Sequence, residues 1–192
     1  MAKLDVVPLS ADRWADFEAL FGRQGACYGC WCTYFRLAPK QRKNNSAEDN
    51  KAFIHTRIES GPPPGLLGYL DGEPVAWMQI GPRADVPQFN NARRVCAPLD
   101  DGPAEDETVW AISCFFTKSA MRGRGLSHAM VAAGIEHARE NGARLLEACP
   151  MDHANQAKSV GLFVGSTQVF AKAGFSEAAL RKPGRPLMRL EL

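Results

Sequence analysis

A glycine-rich basic turn in the second half of the chain has the composition of an anion-binding site. Residues 118–127 (KSAMRGRGLS) follow an apolar segment and precede a helical pattern. Glycines let backbone N–H groups converge on one cluster of oxygens, and a helix start adds the positive end of its dipole. Arg122 and Arg124 add two positive charges. The turn lacks the Gly-Lys-Ser/Thr of a Walker loop. We therefore predict a pyrophosphate site of another type, and a plain strand–turn–helix corner is the alternative.

Three cysteines and three aromatic residues alternate near the N-terminus: Cys27, Tyr28, Cys30, Trp31, Cys32 and Tyr34. Zinc sites usually have four ligands, and no second CxxC or HxxxH pair completes this group, so we predict no metal. The three aromatic rings instead offer cation–π surfaces to an ammonium group and are predicted to bind substrate. Two alternatives stay open: the rings pack the first helix onto a sheet, or the cysteines hold zinc in an interaction protein.

The charge distribution is uneven although the net charge is small. Residues 100–107 carry five carboxylates and no base, and residues 118–124 carry three bases and no acid. This pattern suggests a cationic substrate beside an anionic cofactor, and two solvated loops are the alternative. The whole chain has 23 Lys and Arg against 21 Asp and Glu, a net charge of +2, which is unlike a strongly basic nucleic-acid binder.

Composition sets the broad class. The 192 residues are 45% hydrophobic, which predicts one globular domain over residues 1–192 and excludes disorder as the main state. No run of 18 apolar residues predicts a membrane span, and the first residues lack the apolar core of a secretory signal. With six cysteines and no export signal, we expect a cytoplasmic protein with reduced thiols, and no nucleic-acid or membrane partner.

The elements that must position these residues follow from periodicity and turn chemistry. Asp71-Gly72 between two apolar runs is a strong hairpin signal, and Ser46 with Asp49 resembles a helix-capping pair. Residues 108–117 are apolar throughout, as in a strand buried on both faces. The predicted strands cover residues 3–9, 66–70, 75–80, 108–117, 145–149, 175–179 and 187–192, and the predicted helices start near 14, 46, 126 and 166. The order indicates a mixed-sheet α/β protein.

Two sequence patterns resemble those of the GNAT N-acetyltransferase superfamily. They are Arg122-x-x-Gly125-x-Ser127 after the central strand and Phe170-x-Lys172-x-Gly174-Phe175 near the C-terminus. The order of the predicted elements also resembles that of the family. The resemblance implies a single domain of the α/β (α+β) class, with a GNAT-like mixed, mostly antiparallel central sheet flanked by helices. It further implies transfer of an acetyl group from acetyl-CoA, as co-substrate, to a primary amine of a small molecule or a peptide. Family members often pair as homodimers.

The resemblance assigns cofactor-binding roles to particular positions. The pantetheine arm of the cofactor would pair with the end of the central strand, where a backbone N–H would polarise the thioester carbonyl. The turn would hold the pyrophosphate. The cofactor-binding residues would be Cys114, Phe115, Phe116, Thr117, Arg122, Gly123, Arg124, Gly125, Leu126, Ser127 and Phe170. Many members have at the position of Phe170 a Tyr that protonates the departing thiolate, and here Ser166 and Tyr34 are the candidate substitutes.

The amine must lose a proton before it attacks, so a base is needed. Glu147 interrupts an apolar strand, where a carboxylate is unfavourable unless it is paired or used, and it is our first candidate. A structural ion pair with an arginine is the alternative. Glu107, before the central strand, is the second candidate and would act through water, and His153 is the third. The absence of a Tyr at Phe170 also leaves open an acyl-CoA-binding module with little catalysis.

Overall fold

The computed structural model describes residues 3–152 and 162–192. Within them the apolar runs form strands of one seven-stranded sheet, and the helical patterns form helices on its faces. In chain order the elements are β1 (Asp5–Pro8), α1 (Trp14–Phe21), α2 (Pro39–Asn44), α3 (Ala47–Glu59), β2 (Gly65–Leu70), β3 (Glu73–Pro82), β4 (Val109–Thr117), α4 (Leu126–Glu140), β5 (Leu145–Ala148), α5 (Thr167–Lys172), β6 (Ser176–Ala179) and β7 (Leu187–Glu191).

The sheet has the strand order β1-β2-β3-β4-β5-β7-β6. Among its strand pairs, β4 and β5 are parallel and the others are antiparallel. β2 and β3 form the predicted hairpin, whose two central residues, Asp71 and Gly72, have φ of +50° and +81°. Positive φ at both central residues is typical of the turn that matches strand twist. The mixed, mostly antiparallel sheet expected from the sequence is confirmed.

β4 carries a bulge and separates from β5 halfway along its length. Gln79 of β3 pairs with Cys114 and Ile80 pairs with Ile112, so Ser113 is an extra residue in β4. Pairing with β5 ends at Ile112 and Ala148. Beyond this point residues 113–117 have no partner in β5 in the described part of the chain. The two parallel strands therefore form a fork whose apex is at Ser113.

Each face of the sheet has its own hydrophobic cluster. α4 and α5 cover one face, where Met130, Ile135 and Phe170 pack on Met78 and Ile112. A Cβ on Gly134 of α4 would lie 2.4 Å from Met78 Cε, so this glycine permits the close approach of α4 to β3. The first helix packs on the other face, where its Phe17 and Phe21, together with the loop residue Trp31, lie against Leu67 and Trp77.

Most predicted elements are confirmed, and two segments differ from expectation. The Ser46 capping box is present at the start of α3. The short helix α2 is missing from the prediction, because its sequence PKQRKN has no apolar periodicity. Its one local signal is a proline in the first turn, a position that proline favours. The connection between β3 and β4 contains a 3-10 turn at Arg83–Asp85, and the Arg83 side chain is fully buried. No helix in the described residues is long and apolar enough to span a membrane.

Candidate active site

The predicted basic turn joins the end of β4 to the start of α4. After a 3-10 turn at Ser119–Met121, Gly123 and Gly125 take φ of +77° and +75°, and the helix begins at Leu126. A Cβ at either glycine would meet nothing within 4 Å, so both open onto free space. No side chain caps α4 at its N-terminus. In the first turn of this 15-residue helix the His128 N–H donates to the Gly125 carbonyl at 3.0 Å, and the N–H groups of Leu126 and Ser127 have no partner among the described residues and are available to an anion.

Two exposed arginines flank these N–H groups. Arg122 and Arg124 are exposed, and Arg122 Nε donates to the Thr117 carbonyl at 3.4 Å. Within residues 3–152 and 162–192 neither guanidinium has a carboxylate within 4.0 Å. Unpaired guanidinium groups beside an uncapped helix start suit a doubly charged phosphate group. Leu126 is buried and anchors the helix, and Ser127 is half-buried in its first turn.

The fork provides the second part of the site. Residues 114–117 are half-buried and pair with β3 along one edge, while the other edge has no strand partner among the described residues and the 3-10 turn at Leu162–Val164 lies close to β4. An extended ligand with amide groups could pair with this free edge as a strand would. The buried Ser113 Oγ at the apex has no hydrogen-bond partner in the part of the chain that the structure describes. Three features thus follow one another along the end of β4: the buried hydroxyl of Ser113, the strand edge that does not pair with β5 and the basic turn.

Glu147 is fully buried on β5 and bound by two arginines. Arg83 Nη1 donates to Glu147 Oε2, and Arg189 donates from Nη2 and Nε to Oε1 at 2.6 and 2.9 Å. Arg189 Nη1 also donates to Asp101 at 2.7 Å. Both oxygens of this carboxylate are therefore already used in charge-assisted hydrogen bonds to guanidinium groups of the protein. The geometry favours the structural pair over the base, whose assignment to Glu147 stays a prediction.

Glu107 is exposed and precedes β4 at the end opposite the basic turn. Seven residues of extended chain separate it from Cys114, roughly 20 Å. The neighbouring acidic residues are engaged locally: Arg144 donates to Asp106 Oδ2 at 2.7 Å. Hydrogen bonds from Thr108 and Arg144 lower the pKa of Asp106 to about 2. The structure therefore places the acidic segment far from the basic turn, and the expected pairing of a cationic substrate with an anionic cofactor has no geometric support there.

Phe170 lies in the core on α5. It is fully buried, with ring centroids 6.0 Å from Phe115 and 5.1 Å from Phe175. Gly165 permits this packing, because a Cβ there would lie 2.8 Å from the Phe170 ring. Phe170 thus packs against Phe115 and helps to hold this part of β4 in place. Ser166 is buried just before α5, and His153 lies outside the described residues.

The three aromatic residues of the N-terminal loop lie in three different environments. Tyr28 is 94% exposed, whereas Trp31 is 3% exposed and stacks on Phe21 at 5.7 Å. Tyr34 is half-buried, with the guanidinium groups of Arg42 and Arg94 at 4.3 and 5.2 Å from its ring centroid. These arginines already make the cation–π contacts predicted for a substrate ammonium. For Trp31 the geometry favours the packing role, and substrate binding by the three rings stays a prediction.

A cluster of polar groups joins the loop to β3 and β4. The Gln79 carboxamide, oriented with its oxygen towards Arg36, accepts from Arg36 Nε and Nη2 at 3.0 Å, and Cys32 Sγ contacts the same carboxamide at 3.1 Å. Burial opposes ionisation of Cys32, but hydrogen bonds from Cys114 and Trp77 outweigh it, so its pKa is lowered. Across the described residues, no three His, Cys, Asp or Glu side chains are grouped to hold a metal ion.

Two residues of this region were not singled out from the sequence. Ser113 has a detectable signal, because it is the one hydroxyl inside the apolar run of residues 109–116. Arg83 has none, since it is one of several charged residues in a long polar connection and pairs with a residue 64 positions later.

Comparison with known proteins agrees with the fold. The model of the acetyltransferase (GNAT) family matches residues 28–164. A ribosomal-protein-alanine N-acetyltransferase from Brucella melitensis is 19% identical, with a TM-score of 0.55, and the match covers 98% of this chain and 99% of that one. An N-acetyltransferase from Staphylococcus aureus is 14% identical, with a TM-score of 0.55 and 99% of each chain covered. The protein yncA from Salmonella typhimurium, solved with its cofactor acetyl-CoA, is 15% identical, with a TM-score of 0.55 and coverage of 98% and 94%. No curated protein matches this chain significantly.

Proposed function

Because this chain belongs to the GNAT family of acetyltransferases, we propose that it transfers the acetyl group of acetyl-CoA directly to a primary amine of a small molecule or a peptide. One observation carries the proposal: the start of α4, which has no side-chain cap, two positive-φ glycines and two arginines without a carboxylate partner among the described residues, opens beside the fork of β4 and β5. This arrangement fits a long ligand that has a pyrophosphate in its middle and amide groups in one arm.

Different residues of the chain would bind different parts of this co-substrate. Arg122, Arg124 and the first N–H groups of α4 would hold the pyrophosphate. The free edge of residues 114–117 would pair with the amides of the pantetheine arm, and a backbone N–H there would donate to the acetyl oxygen. Acetyl-CoA supplies an activated acetyl group as a thioester. Phe170 would contribute indirectly, by supporting Phe115.

The group that takes the proton of the amine is a separate question. Glu147 and Glu107 are the candidates from the sequence, and the first is held by two arginines while the second is remote from the fork. A pH–rate profile that shifts in Glu147→Gln but not in Glu107→Gln would support Glu147 as the base. Equal profiles in both variants and the natural protein would point to His153, the remaining candidate from the sequence, or to removal of the proton by solvent.

Calorimetric titration of acetyl-CoA and of CoA tests the co-substrate assignment. We expect micromolar binding, and at least about a tenfold loss in a variant with Arg122→Ala and Arg124→Ala, since charge-assisted hydrogen bonds contribute about 1.5–3 kcal/mol each. The matched control is Arg139→Ala, at the other end of the same helix, where an exposed arginine pairs with Glu136. No binding to the natural protein would overturn the proposal.

Turnover separates an enzyme from a module that only binds acyl-CoA. Release of the CoA thiol should accelerate with one or more members of a panel of primary amines. The panel should include amines that carry a carboxylate or phosphate, because Arg42 and Arg94 at Tyr34 have no ion-pairing carboxylate among the described residues. Tight binding of acetyl-CoA without accelerated release on any amine would favour the binding module.

A further inference from the structure

Ser113 has no paired residue in either neighbouring strand, β3 or β5. It is the extra residue of the bulge opposite β3, and it is the first residue of β4 beyond the last pair with β5. Its side chain is buried, with 1% of the residue exposed, and its Oγ has no hydrogen-bond partner within residues 3–152 and 162–192. The residue therefore presents an unused donor at the apex of the fork.

A buried hydroxyl without a partner is unfavourable for folding. Desolvating such a group without a compensating hydrogen bond destabilises a protein, and most buried polar groups are paired for this reason. The neighbouring residues of β4 are apolar, and alanine would fill the position without the penalty. Bulges occur beside active sites, where they direct a side chain or end strand pairing. Both features indicate that the partner of Ser113 is a ligand.

The direction of β4 determines which part of that ligand reaches Ser113. The basic turn follows the outer end of β4 at Thr117, and the free edge runs from there inward to the apex. A CoA molecule with its pyrophosphate at the turn and its pantetheine arm along this edge places its sulfur at the inner end. We infer that Ser113 Oγ donates a hydrogen bond to the CoA sulfur, an inference that rests on the proposed function.

This hydrogen bond would replace a function that Phe170 cannot perform. When the amine nitrogen bonds to the acetyl carbon, the C–S bond breaks and its electron pair stays on sulfur. Ser113 keeps its proton and stabilises the negative charge through the hydrogen bond. The amine proton leaves to a base or to solvent, and the thiolate later takes a proton from solvent. Charged acceptors form the stronger hydrogen bonds, so the contact is tighter to the thiolate than to the thioester.

Binding of CoA compared with desulfo-CoA, which lacks the sulfur, tests the inference without an acceptor amine. Titrations at pH 7 and pH 9 should show that the natural protein prefers CoA, and that the preference grows by about tenfold as the bound thiol ionises. Ser113→Ala should bind both ligands equally at both pH values. Thr33→Val is the matched control, because it removes another buried hydroxyl, one that donates to the Cys30 carbonyl, and it should retain the preference for CoA.

The outcomes separate this inference from the proposed function. If neither ligand binds to the natural protein, the co-substrate assignment fails. If both ligands bind equally to the natural protein at pH 9, or if Ser113→Ala keeps the preference, the inference about Ser113 is wrong. Thermal unfolding adds an independent measurement: Ser113→Ala should melt at or above the temperature of the natural protein, since the variant loses an unsatisfied hydroxyl. A lower melting temperature would indicate a structural hydrogen bond instead.

Discussion

Glu147 binds two segments that are distant in sequence. Arg83 comes from the connection after β3, and Arg189 comes from β7. The sequence could show that a carboxylate inside an apolar strand needs a reason, but not which reason, because the arginines are 64 and 42 residues away. Both oxygens are satisfied by side chains of the protein itself. At the scale of the residue, the burial of Glu147 and the two arginines bound to it thus favour a structural ion pair over a catalytic base.

Glu147→Gln should lower the free energy of unfolding by about 3–5 kcal/mol, because it leaves two buried or half-buried arginines without their counter-charge. Urea unfolding at pH 7 measures this loss. The matched control is Glu107→Gln, an exposed site where the change should stay within about 0.5 kcal/mol. Full stability of Glu147→Gln, together with a shifted pH–rate profile, would restore the carboxylate as the base.

The aromatic residues show a second limit of sequence reasoning at this scale. Tyr28, Trp31 and Tyr34 have similar chemistry, and their spacing does not separate the exposed ring from the buried ones. Separation comes from the backbone, which takes positive φ at Ala26, Tyr28, Trp31 and Cys32. Such conformations are rare for residues with a Cβ and follow from tertiary packing. The path of this loop could therefore not be predicted locally.

Elements with a complete local signal were predicted, and those with a partial signal were not. The β2–β3 hairpin has Asp-Gly between apolar runs, and α3 has a capping box, so both were found. α2 has neither periodicity nor a capping side chain, since Ala38 occupies its N-cap. The bulge in β4 has no local signal at all, because it depends on the register with β3.

Gly125→Ala should distinguish the effect of backbone strain in the basic turn from the effect of lost phosphate binding. Gly125 and Gly142 flank the two ends of α4 with φ of +75° and +79°, and a Cβ at either meets nothing within 4 Å. Alanine at either site should therefore destabilise the fold by a similar amount, about 1–2 kcal/mol. CoA affinity should fall at least about tenfold in Gly125→Ala alone, because the methyl group obstructs the helix N–H groups. Equal affinity in both variants would show that no phosphate binds there.

Asp85 connects the 3-10 turn after β3 to two other elements. Arg57 of α3 donates to both of its oxygens at 2.8 and 2.9 Å, and Arg36 Nη1 lies 2.7 Å from Oδ2. Burial alone would raise the pKa of Asp85, but the hydrogen bonds from Arg57 and the charge of Arg36 lower it. A lowered folded-state pKa gives stability that is present above the unfolded pKa of about 3.9 and is lost as the pH falls through the folded value.

Asp85→Asn should therefore lower the free energy of unfolding by about 2–3 kcal/mol at pH 7. The difference from the natural protein should shrink below about pH 4, where Asp85 of the unfolded chain takes up a proton while the folded carboxylate is still charged. Urea midpoints measured from pH 7 down to pH 3 test this dependence. The exposed Asp100→Asn serves as the control and should change neither the stability nor its pH dependence. A constant difference across the range would contradict the assignment.

At the scale of the molecule, the order of elements carried the fold prediction. Strand and helix patterns, one hairpin and one glycine-rich turn were enough to resemble a family, and the sheet order agrees with that resemblance. Only one part of the candidate site could be predicted from the sequence. This is the proposed cofactor-binding part, which is one contiguous segment from Cys114 to Ser127. The other predicted site residues, Tyr28, Trp31, Tyr34, Glu107 and Glu147, come from separate parts of the chain, and their contacts depend on the finished fold.

Acetyl-CoA should stabilise the whole domain if the site is used as proposed. At about 100 times its dissociation constant a ligand adds about 2.7 kcal/mol, which for a chain of this length raises the melting temperature by roughly 5–10 °C. Differential scanning calorimetry measures the shift. The variant with Arg122→Ala and Arg124→Ala should show a much smaller shift at the same concentration. An identical shift in that variant would place the ligand away from the basic turn.

The position of β7 between β5 and β6 has a consequence for the synthesis of the protein. β5 receives its second neighbour only after residues 149–186 have been translated, roughly 2–8 s later at about 5–20 residues per second. During that interval β5 is an open edge strand, and Glu147 has Arg83 but lacks Arg189. Open edges can pair with other chains. The nascent chain is thus most vulnerable to misassociation between the emergence of β5 and that of β7, an interval in which a chaperone that covers strand edges would improve the yield of folded protein.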